Sequence, residues 1–170
     1  MRRYIFSLLV FFSGLAFADA YVDASQPFLE IADLNRQAEV WAVCAASYDV
    51  MSTIMQATAP ERAQQLSDLG NGAKLSVGMT LIANDLDPDM SLERFKALWA
   101  NAQVAMAEWP QAQLSSILAD AQRLGTEGAE EFGRKINATV VACINNLQAQ
   151  RRYIDSWQEL IESGLLAPPG

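Results

Sequence analysis

Cys44 and Cys143 are the only two cysteines of the 170-residue chain, and they have the most chemistry to offer. Two thiols can act as nucleophiles, redox partners or metal ligands, or they can join. No C-x-x-C spacing is present, which removes the usual dithiol redox motif. The carboxylates come next. Asp85, Asp87 and Asp89 open like a D-x-D-x-D calcium loop, but position six is Met90 instead of Gly and position twelve is Lys96 instead of Glu. They read instead as caps, where negative charge favours the start of a helix. Glu130 and Glu131 have the makings of an acid–base pair. However, each stands four residues before a cation, Arg134 and Lys135, in the order that stabilises a solvated helix face. Arg151 with Asp155 reads the same way. Glu159 and Glu162 lack the His that an E-x-x-H metal helix needs. Asn137-Ala138-Thr139 has glycosylation spacing but falls on a predicted helix and is discounted.

The chain contains no histidine. That excludes Ser-His-Asp and Cys-His nucleophile arrangements, His-ligated zinc and c-type haem attachment. It also removes the side chain that ordinarily changes charge between pH 5 and 8. The sequence therefore predicts a protein that is not an enzyme, with no catalytic residue, cofactor or metal site assigned. A carboxylate- or metal-dependent enzyme is the least favoured alternative.

The compartment decides how the cysteines read. Met1-Arg2-Arg3-Tyr4 is a short basic start, Ile5 to Phe17 is an apolar run, and Ala16-Phe17-Ala18-Asp19-Ala20 closes it with small residues. This is the layout of a cleavable signal peptide over residues 1–20, cut after Ala18 or Ala20. The run is shorter than the roughly 20 residues that span a bilayer. No later stretch is apolar enough to span, so the mature chain is expected to be soluble, in a Gram-negative periplasm or secreted. Residues 21–170 are predicted to form one helical domain, with an N-terminal arm over 21–26 and a C-terminal tail over 165–170.

The whole chain has 12 basic and 20 acidic residues, a net charge of −8. Cleavage after Ala20 removes Arg2, Arg3 and Asp19 and leaves 10 basic and 19 acidic, or −9. Such a surface repels nucleic acid and anionic lipid and suits a partner with a basic surface.

Helical spacing organises the rest. From about Pro27 to Ala57, Trp41, Cys44, Ala45, Tyr48, Ser52 and Met55 recur at steps of three and four, on one face. Glu39, Ala46 and Asp49 fall elsewhere. Pro60 suits the first turn of the next helix. Glu61 to Leu86 reads as a helix bent or broken near Gly70-Asn71-Gly72. Over 73–86, Leu75, Val77, Met79 and Leu81 alternate as in a strand, while Leu75, Met79, Ile82 and Leu86 fit a helix. A lone strand would leave its backbone unpaired, so helix is preferred. Asp87-Pro88-Asp89 marks a boundary. A helix from about Ser91 to Glu108 is expected to be interrupted at Pro110 and to resume through Leu114, Ile117, Leu118, Ala121 and Leu124. Gly125 should stop it and Thr126 cap the next. Phe132, Ile136, Val140, Cys143, Leu147, Ile154, Trp157 and Ile161 then form one stripe, with Gln150 as a polar break. At about 36 residues this helix would run ~54 Å, with a bend placed near Asn145-Asn146 or Arg151-Arg152.

Cys44 and Cys143 lie mid-stripe on the first and last long helices. In an oxidising compartment two inward-facing cysteines predict a disulfide. The fold expected is all-α: an elongated bundle of four to five helices, its first and last long helices antiparallel and disulfide-linked. Trp41, Trp99 and Trp157 read as core. Trp109, before Pro110, is the one aromatic offered as an interaction residue. The function expected is a non-enzymatic extracytoplasmic interaction module, of the inhibitor or immunity type, for a basic protein partner. The alternative is a chaperone or carrier that holds apolar cargo between Ala- and Met-rich helices.

Overall fold

The computed structural model describes residues 21–22, 26–87 and 89–166. The signal peptide, with both its cleavage positions, and tail residues 167–170 lie outside these. The described chain is all-helical, without strands. A 3-10 turn at Phe28–Glu30 leads into α1 (Leu34–Met55), α2 (Pro60–Asp85), α3 (Leu92–Leu124), α4 (Ala129–Asn145) and α5 (Leu147–Glu162). Of the segment over 73–86, residues 73–85 are helix and Leu86 is the extended residue that ends it.

The helical span expected from Pro27 is divided at Ile31–Asp33. Asp33 caps α1 by accepting the backbone N–H groups of Asn35 and Arg36, at 2.9 and 3.3 Å. The predicted face of α1 is half the story. Trp41, Cys44, Ala45 and Tyr48 are fully buried, but Ala38, Ala42 and Ala46 are too, while Ser52 and Met55 are only partly covered. Helix α1 is buried nearly all round, because α2, α3 and α4 all pack against it. Such a helix shows no clean apolar stripe.

Helix α2 runs unbroken through Gly70 and Gly72, correcting the expected bend. A Cβ at Gly70 would meet Asp49 Oδ1 at 3.1 Å and Tyr48 Cβ at 3.5 Å, and one at Gly72 would collide with the Gln150 amide. The glycines let α1 and α5 approach α2 closely, and that packing outweighs their cost of ~1 kcal/mol each in a helix interior. Pro60 occupies the first turn of α2 as expected. Lys74 Nζ and Asp49 Oδ2, 3.0 Å apart, tie the α1–α2 hairpin on its surface.

Helix α3 also continues where an interruption was expected. Pro110 is buried inside it. Proline forfeits one backbone bond, but residues on both sides are buried, with Phe95, Ala102 and Ala105 before it and Gln113 and Ile117 after. Packing of both halves holds the helix across the missing bond. Gly125, with φ of 61°, ends α3. The cap of α4 is Gly128 and not Thr126, whose carbonyl instead accepts the N–H of Ala129.

The long last helix is two helices, α4 and α5, parted at Asn146. The Asn146 side chain explains the break. Its Nδ2 donates to the Ala142 carbonyl at 3.0 Å, and its Oδ1 accepts the Phe28 N–H at 2.9 Å. An Asn that bonds the backbone in this way competes with helix propagation. The disulfide therefore joins α1 to α4, and α5 lies beyond it. Cys44 meets Cys143 and Gln37 meets Tyr153, so α1 and the α4–α5 run are paired in opposite senses.

Two apolar clusters hold the bundle. The larger surrounds Trp41, Tyr48, Ile117, Ile136 and the disulfide. The smaller gathers Met79, Ile82, Phe95, Ala102 and Leu166, with Trp99 and Trp157 packed against it. Tyr153 touches both. Phe28, Trp41 and Tyr153 meet edge to face, with ring centroids 4.9 and 6.3 Å apart, the arrangement that aromatic quadrupoles favour.

Candidate binding cleft

The cysteines are joined. Sulfur meets sulfur at 2.03 Å with Cα atoms 5.7 Å apart, and both residues are fully buried. Nucleophilic and redox roles that need an exposed thiolate have no place at this pair.

The carboxylates noted in the sequence are scattered over exposed surface. Asp87 Oδ1 accepts the Asp89 N–H at 3.0 Å in the turn before α3, whose cap is Ser91 and not one of these aspartates. Glu131 and Lys135 pair at 3.2 Å. Glu130 with Arg134 and Arg151 with Asp155 do not pair, so two of the three expected helix-face bridges are absent among the described residues. Exposed long side chains gain little from such pairing. Among the described residues no three of Cys, Asp and Glu converge as a metal site would need. Trp109 is half-buried against the larger core.

Helices α2, α3 and α5, with the residues that end α2 and α5, line an open cleft of about 460 Å³. Met79, Ile82, Ala83 and Leu86 form one wall, at the spacing that puts them on one face of α2. Phe95 of α3 stands opposite, and α5 contributes Tyr153, Ser156, Glu159, Leu160 and Ser163. The floor is braced. Tyr153 donates its hydroxyl to Gln37 Oε1 at 2.6 Å, and Gln37 Nε2 donates to the Phe28 carbonyl. Burial pushes the Tyr153 hydroxyl pKa up, so it stays a neutral donor. A cavity of this size with mostly apolar walls and a few polar groups has the form of a ligand or peptide site.

A second polar constellation fixes the arm. Tyr21 donates its hydroxyl to Asp120 Oδ2 at 2.7 Å, and Val22 N–H donates to Thr139 Oγ1 at 3.3 Å. Lys135 reaches the same carboxylate at 3.2 Å and lies over the Tyr21 ring, 5.3 Å from its centroid. Arg123 completes the set. The Tyr21 hydrogen bond, and then those from Arg123 and Lys135, hold the Asp120 carboxyl down at about 2.

Sequence reading singled out neither constellation. The cleft had one trace, the Leu75, Met79, Ile82 and Leu86 periodicity, which fits a helix as well as the alternation beside it fits a strand. Leu86 ends that row 58% exposed. Asp120 had none, since Tyr21 lies 99 residues away. No protein-family model matches the chain, and comparison with curated proteins and with solved structures gives no significant match.

Proposed function

We propose that this chain is an exported, non-enzymatic binding module that recognises a basic protein partner outside the cytoplasm. The observation that carries the reading is the disulfide between two fully buried cysteines together with a net charge of −8. Disulfides persist in oxidising compartments, which agrees with the signal-peptide pattern of residues 1–20. Among the described residues no helix is long and apolar enough to cross a membrane. The acidic surface favours encounter with positive partners and slows approach to nucleic acid and anionic membranes.

Crosslinking of the tagged full chain in its native host, with partners identified by mass spectrometry and reconstituted from purified proteins, tests this reading. The expected outcome is a basic extracytoplasmic protein that binds directly in calorimetry. Recovery of no direct partner, or only of acidic ones, would contradict it.

The cleft favours a second reading, a carrier of apolar cargo. That reading predicts lipid or another apolar small molecule in organic extracts of the purified protein. Extracts free of such molecules would remove it.

A further inference from the structure

We propose that the cleft between α2, α3 and α5 is the docking groove for a basic amphipathic helix of a partner protein. This rests on the reading of the chain as a binder of a basic partner and adds where and in what shape the partner sits.

The apolar side comes first. Ile82 and Leu86 on α2, Phe95 on α3 and Leu160 on α5 line the groove. The apolar surface does not stop at the mouth. Leu86 is 58% exposed, and Leu92, one turn before Phe95 on α3, is 44% exposed. Large apolar side chains exposed at and near an apolar groove suit a contact site. A helix that lays residues i, i+3, i+4 and i+7 into a groove presents a matching stripe.

Charge selects among occupants. The segments that supply and flank its lining, residues 83–87, 89–96 and 153–163, carry seven carboxylates, of which Glu159 lines the groove, against two basic side chains, Arg94 and Lys96. Every one of the seven is exposed. Among the described residues none of them forms an ion pair. Arg151 and Arg152 lie a turn earlier on α5, where Arg152 lines a separate cavity beside Pro27 and Ala149. An apolar groove in a field of unpaired carboxylates fits an apolar stripe flanked by Lys and Arg. A second copy of this chain would bring the same negative rim and be repelled. A fatty acid would be repelled likewise, and a neutral lipid would gain nothing from the charges.

The test uses the full mature chain with its disulfide intact and, as probe, a fluorescent helical peptide of about 18 residues made of Leu and Lys, with all Leu on one face. Three controls accompany it: the same peptide with Glu for Lys, a scrambled Leu/Lys peptide, and a decyltrimethylammonium surfactant as competitor. Ala83→Trp fills the groove from an exposed wall position, Glu159→Lys reverses its lining charge, and Ala138→Trp places the same bulk on the exposed face of α4. Circular dichroism confirms the fold of each. The amphipathic Leu/Lys peptide is expected to bind, with the Glu peptide, the scrambled peptide, Ala83→Trp and Glu159→Lys each weakening binding about tenfold or more, and Ala138→Trp leaving it unchanged. Equal binding to Ala83→Trp and the parent, or equal binding of the Glu or scrambled peptide, overturns the proposal. Binding of the surfactant without the peptide overturns it in favour of a small cationic amphiphile. A captured basic partner whose affinity ignores Ala83→Trp defeats the groove and spares the broader reading. The absence of any basic partner, with the peptide still sensitive to Ala83→Trp, does the reverse.

Discussion

Asp120 gathers Tyr21, Arg123 and Lys135, and so fastens residues 21–22 across α3 and α4. Its carboxyl sits at about 2 against an ordinary 3.8, chiefly through the Tyr21 hydrogen bond. A depressed carboxyl contributes stability that is fully present above pH ~4 and is lost as pH falls through about 2. Asp120→Asn is therefore expected to lower the melting temperature at pH 6, with the gap to the parent closing near pH 2. Thermal unfolding at both pH values checks this, and a gap that persists at pH 2 would assign the loss to something other than the charge. Tyr48 gives a second residue-scale prediction. It is fully buried, its hydroxyl has no hydrogen-bond partner among the described residues, and burial pushes its pKa up. Removing an unsatisfied buried hydroxyl relieves its desolvation cost. Tyr48→Phe should leave stability unchanged or raise it by up to about 1 kcal/mol in urea unfolding. The Asp120 cluster was not legible in the sequence, because Tyr21 lies 99 residues away and leaves no periodic trace, whereas the burial of Tyr48 followed from its helical stripe and only its unpartnered hydroxyl did not.

Helices were the most legible level and their ends the least. The all-α class, helix over 73–85, the Pro60 start and the Gly125 stop follow from local spacing and punctuation, the Cys44–Cys143 link follows from two inward-facing cysteines read with an export signal, and the structure has each of these helices, ends and the link. Gly70, Gly72 and Pro110 misled because tertiary packing overrode local propensity. The Asn146 break was one of two places expected for a bend, and its cause is the long-range bond to Phe28. Asn146→Ala strands that buried N–H and should cost about 1–3 kcal/mol. Chemical denaturation measures it, and a change below about 0.5 kcal/mol would show that the break does not depend on this side chain. The disulfide spans 99 residues of sequence. Replacing both cysteines with Ala should lower unfolding free energy by about 2–5 kcal/mol, read from urea unfolding with midpoint and slope both fitted, the slope rising as the unfolded chain loses its crosslink.

At the scale of the whole molecule, composition supplies an acidic surface and the fold supplies a cleft. Histidine is absent, the thiols are joined in a buried bridge, and among the described residues no three acidic side chains converge as metal ligands. The described residues form an acidic helical scaffold with an apolar-walled cleft between α2, α3 and α5. The composition was legible at once. The cleft was not, since three helices from distant parts of the chain must meet to make it. The most direct measurement of the central claim is the affinity for the reconstituted partner as a function of sodium chloride. Recognition of a basic partner by this acidic surface predicts that the dissociation constant rises steadily between 50 and 500 mM salt, on the order of tenfold or more, as screening lengths shorten. A dissociation constant that stays flat across that range, or falls, would contradict the account.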